Sequence, residues 1–386
     1  MQAVHFGAGN IGKGFIGYLL SKNGYDVCFV DVNQQMIDQI NSRNSYDIEL
    51  LSDDRRMETI SPVSALNSMT QKDAVVDRIV NADIITMSVG VQNLSKVAGV
   101  LAEGLKKRAV ENPKPLNVMA NENAINASST LKKEVAEYLT QEEMKELGAF
   151  IAFPNTAVDR LALSRQSKSV EIPIVEPFYE WVIDESEKVD DGLPKLQGVT
   201  YTQDLTPFIE RKLYIVNMGH AAAAYLGYLK GCHTIRETLQ YAELETLVKG
   251  AMKEAAGYIV QTFQADPEEL DRFIEKTLGR FKNPHVDDDV KRVGRAPLRK
   301  LGLRERLVHP TVSLFEAGYS VEHLTTAIAA GFLFDTSEDE EAVELQNYIA
   351  ENGIEKAIQN ISSIKDQNLQ SKILNKYNDL KASALN

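Results

Sequence analysis

Residues 7 to 12 of this 386-residue chain read Gly7-Ala8-Gly9-Asn10-Ile11-Gly12, directly after the apolar run AVHF and directly before the run FIGYLLSKNG. Glycines at these spacings have three uses. Gly7 permits a tight turn, Gly9 lets backbone N–H groups approach a pyrophosphate, and Gly12 lets a helix pack close to a strand. The helix that follows turns the positive end of its dipole toward the phosphates, so Gly7, Ala8, Gly9, Asn10, Ile11 and Gly12 read as a dinucleotide cradle. Nineteen residues beyond Gly12, at the end of the next strand, stands Asp31. Its carboxylate can accept both hydroxyls of an adenosine ribose and would repel a 2′-phosphate. No arginine follows at once in Asp31-Val32-Asn33, so the reading is NAD rather than NADP. Lys13, in the first helical turn, reads equally well as a phosphate contact and as a solvated lysine. Ser88 and Val89, before Gly90 at the end of a later strand, either pass under the nicotinamide half or form a plain turn.

Hydride chemistry needs a proton acceptor beside the reacting carbon, and Lys212 in RKLYIVNMGH offers one. On a helix at about 100° per residue, Lys212, His220 and Asn217 fall at roughly 0°, 80° and 140°, within one arc. Their neighbours Leu213, Tyr214, Ile215, Val216 and Met218 and the run Ala221 to Ala224 make this an apolar helix. Polar heads in such a setting are costly unless paired or functional. By spacing alone, however, a solvated lysine and a satisfied core histidine account for the same pattern.

Lys-x4-Asn-x2-His after an N-terminal GxGxxG, with the opening HFGAGNIGKGFIG, resembles the polyol-specific long-chain dehydrogenases through nearly the whole chain. Asn123, in Asn121-Glu122-Asn123, matches the family's asparagine beside the substrate. PNTAVDRL, residues 154 to 161, resembles its Val-Asp-Arg segment and would place Asp159 near the active site; RFKNP, residues 280 to 284, is similar to another segment. Lys13 departs from the arginine that mannitol-phosphate relatives often carry, with the cationic charge kept. The resemblance implies reversible, metal-independent hydride transfer between NAD and a sugar alcohol, with mannitol 1-phosphate and fructose 6-phosphate as the expected pair. Lys212 would be the general acid/base, and Asn217 and His220 would hold the reacting oxygen, while Asn123 and Asp159 orient substrate or the catalytic groups. A free lysine titrates near about 10.4, so the site would have to hold Lys212 roughly two to three pH units lower. Dehydrogenation of unphosphorylated mannitol and reduction of a hexuronate would use the same residues. A non-catalytic NAD-responsive regulator would need no lysine base.

Residues 291 to 306, KRVGRAPLRKLGLRER, hold seven basic residues and one acid in a chain whose formal charge is −13. By order along the family pattern, Arg292 and Lys300 match positions near the substrate. Arg295 and Arg299 are the candidates for a phosphate, because planar guanidinium groups grip its oxygens in bidentate fashion. A charged surface helix is the competing reading of the same cluster.

These residues need a scaffold, and its pattern changes once along the chain. The first half alternates β-rich runs (Ala3–Phe6, Asp26–Val32, Asp83–Val89, Leu116–Ala120, Ala149–Phe153, Val170–Val175) with amphipathic stretches, the form of βαβ units around a mostly parallel sheet. Thr140 with Glu143 reads as a capping box closed by Gly148, and Asp266-Pro267 with Glu269 as a helix start. The polar stretch DESEKVDDGLPKLQG, residues 184 to 198, reads as the boundary or as an interdomain excursion. The fold class is therefore α/β, with an N-terminal Rossmann-type doubly wound domain (residues 1–195) followed by a mostly α-helical domain (residues 196–386) that carries substrate and catalysis. With 42 Lys and Arg against 55 Asp and Glu, the protein as a whole repels polyanions, which argues against a nucleic-acid partner or an anionic membrane. Neither a membrane span nor a signal peptide is read, so the expected location is cytoplasmic. Cys28 and Cys232 have no metal or disulfide spacing and read as buried thiols. The oligomeric state is left open.

Overall fold

The structure is a computed structural model that describes residues 1–52, 54–167 and 170–384. It divides into two compact units, Met1–Thr206 and Pro207–Asn386.

In the first unit, six parallel strands among the described residues lie in the order Val63–Asn67, Asp26–Asp31, Gln2–Phe6, Ile84–Met87, Leu116–Ala120, Ile151–Ala152. Numbered along the chain this is 3-2-1-4-5-6, the doubly wound order, which reverses beside the first strand. Continuous apolar runs suit strands covered on both faces. Val4, Phe6, Val27, Phe29, Ile85, Met87, Leu116 and Val118 are all buried. The reversal places the Gly7–Gly12 loop at the carboxyl edge of the sheet, where such folds bind their ligands.

The strand pattern differs from the sequence reading in several places. Val63–Asn67 joins the parallel sheet although its short run VSALN alternates rather than reading as a continuous apolar strand. The stretch at Ala149–Phe153 shortens to Ile151–Ala152. Val170–Val175 leaves the parallel sheet altogether: it pairs antiparallel with Ala162–Ser167 and parallel with Tyr46–Leu50, which in turn pairs with Met57–Ile60. A third sheet joins Thr156–Asp159, Glu180–Asp184 and Thr200–Thr202. Such strands carry polar residues between their buried ones, as Tyr46 and Ile48 flank the less buried Asp47, and four or five residues of alternation are a weak signal.

The capping box at Thr140 and Glu143 is present, as is the Asp266 cap before Pro267. The polar stretch after Asp184 is tied to the parallel sheet through Asn117. The Asn117 side chain donates to the Val189 carbonyl (3.0 Å) and to Asp191 Oδ2 (2.8 Å), and accepts from the Val189 N–H (3.0 Å).

The second unit is helical. Met218–Lys230 runs through its core, where Ala221 to Ala224 and Tyr225 are at most 1% exposed and share one apolar cluster with Met252, Ala255, Ile328 and Phe334. Small alanines let neighbouring helices approach closely there. No helix among the described residues is long and apolar enough to cross a membrane.

Candidate active site

The glycine loop is built from contacts that exclude side chains at two of its three glycines. Gly7 has φ +92°, and a Cβ there would lie 2.5 Å from the Ser88 carbonyl oxygen. At Gly12 a Cβ would meet the Gly7 carbonyl and lie 2.9 Å from His5 Nε2. Gly9 is different: nothing lies within 4 Å of where its Cβ would be, and the residue is exposed. Tight packing on both sides of an open position is the form of a cradle for a group brought in from solvent.

Asp31 braces this loop. Its Oδ2 accepts the Ala8 N–H at 2.7 Å, and its Oδ1 accepts those of Val32 (2.7 Å) and Asn33 (3.0 Å). A carboxylate has about four lone-pair sites, so one remains for an incoming hydroxyl. An open cleft is lined by Lys13, Asn33, Met36, Gln39 and Glu171, among others. Lys13 is not a solvated residue here. It is 4% exposed, its ammonium donates to the Glu171 carbonyl at 3.3 Å, and burial lowers its pKa against the pull of Glu171 and Asp31.

Ser88 and Val89 form a turn held from two sides. The buried His5 ring bonds Thr86 Oγ1 (2.7 Å) with one nitrogen and Ser88 Oγ (2.9 Å) with the other. Glu122 Oε1 accepts the N–H groups of Val89 (2.8 Å) and Gly90 (3.0 Å). The sequence reading passed over Glu122, though its place beside Asn123 after a parallel strand was a usable signal. Asn123 itself is exposed beyond Leu116–Ala120, and Asp159 is half-buried at the end of Thr156–Asp159.

In the second unit, Lys212–Asn217 is a π-helical turn that passes into the α-helix Met218–Lys230. The 100° projection therefore fails at this point. In a turn closed by i→i+5 hydrogen bonds, residues five apart fall about one turn apart, so Lys212 and Asn217 lie near one line rather than 140° apart. Lys212, Asn217 and His220 are each half-buried.

His220 stacks on Phe281 of RFKNP, with centroids 4.8 Å apart and planes at 16°. Its Nε2 lies 2.5 Å from Asp288 Oδ2, and the other Asp288 oxygen pairs with the Arg292 guanidinium. Burial, reinforced by the positive charges of Arg292, Lys300, Arg280 and Arg306, pushes the imidazole down to about 3, against the pull of the Asp288 carboxylate beside it. Asp288 escaped the sequence reading; the acidic run Asp287-Asp288-Asp289 just before the basic stretch was its only trace.

The basic stretch divides by environment. Lys300 is 5% exposed and donates to the carbonyls of Val293 and Arg295, and burial beside Arg306, Arg299 and Arg295 lowers its pKa to about 7. Arg295 is exposed, and Arg299 is half-exposed with its guanidinium 3.3 Å from Glu305. Arg306 is largely buried and bonded to Glu305 at 3.2 Å. Arg280, Arg292, Lys300 and Arg306 thus act on His220, while Arg295 and Arg299 act on Lys300.

Two family models match most of the chain: the mannitol dehydrogenase Rossmann domain matches residues 1–198 and the mannitol dehydrogenase C-terminal domain residues 204–383. The chain belongs to the mannitol dehydrogenase family. It is accordingly an oxidoreductase with a Rossmann domain. Among its relatives in that family, mannitol-1-phosphate 5-dehydrogenase of Bacillus licheniformis is 44% identical over 374 residues, 97% of this chain and 98% of the relative. The enzyme of the same name from Bacillus subtilis is 43% identical over 379 residues, 98% of this chain and 100% of its own. The family fold is seen in two solved structures. Pseudomonas fluorescens mannitol 2-dehydrogenase, in ternary complex with NAD and D-mannitol, matches with TM-score 0.74 and 18% identity over 100% of this chain and 92% of that one. A substrate-free D-sorbitol dehydrogenase matches with TM-score 0.86 and 16% identity over 99% and 93%.

Proposed function

We propose that this member of the mannitol dehydrogenase family interconverts mannitol 1-phosphate and fructose 6-phosphate with NAD as cofactor. The observation that carries the substrate is the likeness, at 44% identity and over nearly the full length of both chains, to a relative named for mannitol 1-phosphate. The cofactor reading rests on the cradle. Open space at Gly9, closed packing at Gly7 and Gly12, and the Asp31 carboxylate against the Ala8 amide fit a dinucleotide with an unmodified ribose. Gly7 through Gly12 would hold the pyrophosphate, Asp31 one ribose hydroxyl, and Ser88 and Val89 the nicotinamide side. The nicotinamide ring, when bound, supplies or accepts the hydride.

The chain's own residues then handle the proton and the oxygen. Lys212, as a neutral amine, takes the hydroxyl proton of the alcohol during oxidation and returns it to the carbonyl oxygen during reduction. Asn217, about one wide turn along, donates a hydrogen bond to that oxygen as negative charge gathers on it, and His220, its Nε2 facing Asp288, would hold a substrate hydroxyl by accepting at Nδ1. Phe281 and Asp288 hold the imidazole in place. Asn123 and Asp159 orient the polyol. Arg292 and Lys300 lie on the substrate side, and Arg295 and Arg299 take the phosphate.

The test is NADH oxidation by the purified protein with fructose 6-phosphate, fructose, fructuronate and glucose 6-phosphate in parallel. Fructose 6-phosphate is expected to lead by at least ~10²-fold in kcat/KM, the worth of two charge-assisted contacts. A lead for fructose or fructuronate would replace the substrate, and NADH binding without turnover on any of them would replace the enzyme by a sensor.

A further inference from the structure

The Val-Asp-Arg segment sets two charged residues side by side, and the proposed chemistry uses only Asp159. Its neighbour Arg160 is 8% exposed, a position costly for a guanidinium unless its donors are engaged. They are engaged by backbone: Nε donates to the Glu176 carbonyl at 2.9 Å and Nη1 to the Gly14 carbonyl at 2.7 Å. Three rings surround the group, with centroids 5.4 Å (Tyr18), 5.5 Å (Tyr179) and 5.9 Å (Phe15) away. The Glu176 carboxylate is turned to the Leu161 N–H at 2.6 Å. Among the described residues, then, the hydrogen bonds and ring contacts of Arg160 are all with neutral groups. Burial lowers its pKa only to about 10, with the Glu176 and Glu58 carboxylates acting on it without a direct contact, so it keeps its positive charge at neutral pH.

Gly14 lies inside the π-helical turn Gly12–Ile16 that opens the helix after the glycine motif. Where an i→i+5 turn meets the α-helix Gly17–Lys22, the backbone ladder is out of step and a carbonyl can be left for an outside donor. One face of this turn has no slack, because a Cβ on Gly14 would lie 2.6 Å from Val175 Cγ1 and 3.2 Å from Pro173 Cβ. Arg160 holds the carbonyl of that same residue. The turn after the glycine motif is therefore tied to a residue 146 positions away.

We propose that Arg160 is a positioning residue for the cofactor's pyrophosphate: by holding Gly14 it sets the pitch of the turn after the glycine motif, and its positive charge favours an anion there. This rests on the dinucleotide reading above. A plain fold staple would show itself in stability alone, whereas this role discriminates ligands that carry a pyrophosphate from those that do not.

The experiment titrates the full-length protein with NADH, ADP and adenosine, for the unaltered chain, Arg160→Lys and Arg160→Met, and measures kcat at saturating NADH. Arg160→Met should weaken NADH and ADP by about tenfold or more and Arg160→Lys by less, since losing a charged hydrogen bond is worth about that factor. Adenosine should change by less than about twofold, kcat by less than about threefold, and added salt should weaken ADP binding more steeply in the unaltered protein than in Arg160→Met. If Arg160→Met does not fold, Arg160→Lys carries the test; if neither folds, Arg160 is a staple and the proposal falls. It falls too if folded variants bind ADP as well as the unaltered protein does, or lose ADP and adenosine by one factor. An unaltered protein that binds neither NADH nor ADP overturns the dinucleotide reading itself, a result distinct from variants that match a binding parent.

Discussion

Asp288 joins His220 to Arg292: Nε2 of the histidine lies 2.5 Å from one of its oxygens, and the guanidinium pairs with the other. Two residues singled out separately along the chain thus share one carboxylate, itself only 12% exposed at the side chain. Removing that charge leaves Arg292 unpaired and the imidazole without its anchor. Asp288→Asn should lower kcat/KM for the sugar phosphate by about 10–100-fold while the dissociation constant for NADH stays within about twofold. Steady-state kinetics beside an NADH fluorescence titration distinguish this from general unfolding, which would lower both.

Lys212→Ala should remove most turnover, by roughly 10²–10⁴-fold or more, the usual worth of a general acid/base. NADH binding should be nearly intact, because the glycine cradle belongs to the other unit. Turnover like that of the unaltered protein would end the assignment of Lys212.

Asp31→Ser removes both the ribose acceptor and the brace on the Ala8 amide. The unaltered protein should prefer NAD strongly. In the variant, KM for NAD should rise and the NAD-to-NADP ratio of kcat/KM should fall, since the repulsion of a 2′-phosphate goes with the carboxylate. Equal use of the two cofactors by the unaltered protein would contradict the reading.

Arg295→Ala/Arg299→Ala should erase much of the preference for fructose 6-phosphate over fructose, with the slow reaction on fructose almost unchanged. Equal loss on both sugars would make the two arginines structural and turn the search for the phosphate site to Arg280 and Arg306, which act on His220.

Stability should fall with acid in a stated window. His5 and His220 are both pushed down to about 3 by burial, whereas an unfolded histidine takes up its proton near 6.5. Between these values the unfolded chain binds more protons, so the stability present above about 6.5 is lost as pH falls toward 3. The loss is on the order of a few kcal/mol for the fully buried His5. Urea denaturation across pH 4 to 7 should show this slope, and His5→Gln should flatten it; an unchanged slope in the variant would remove His5 as its source.

The sequence by itself determined the features that rest on neighbours in the chain. A strand, three spaced glycines and a helix dictate the turn at Gly7–Gly12, and the next strand brings Asp31 to it. The alternation of apolar runs with amphipathic stretches names the parallel sheet, and Lys212, Asn217 and His220 stand out because polar heads in an apolar helix need a reason. Only the tertiary structure decided how those residues are aimed. Both the helix after the glycine motif and the one bearing Lys212 contain a π turn, which a projection at 3.6 residues per turn cannot register. Asp288 between His220 and Arg292, Glu122 under Val89 and Gly90, and Arg160 on the Gly14 carbonyl join elements that have no sequence relation. The physical reason is range. Hydrogen-bond ladders and hydrophobic periods act over a few residues and leave a mark in the local pattern, whereas the charges and donors that aim a side chain arrive from distant strands and helices only once the core has packed.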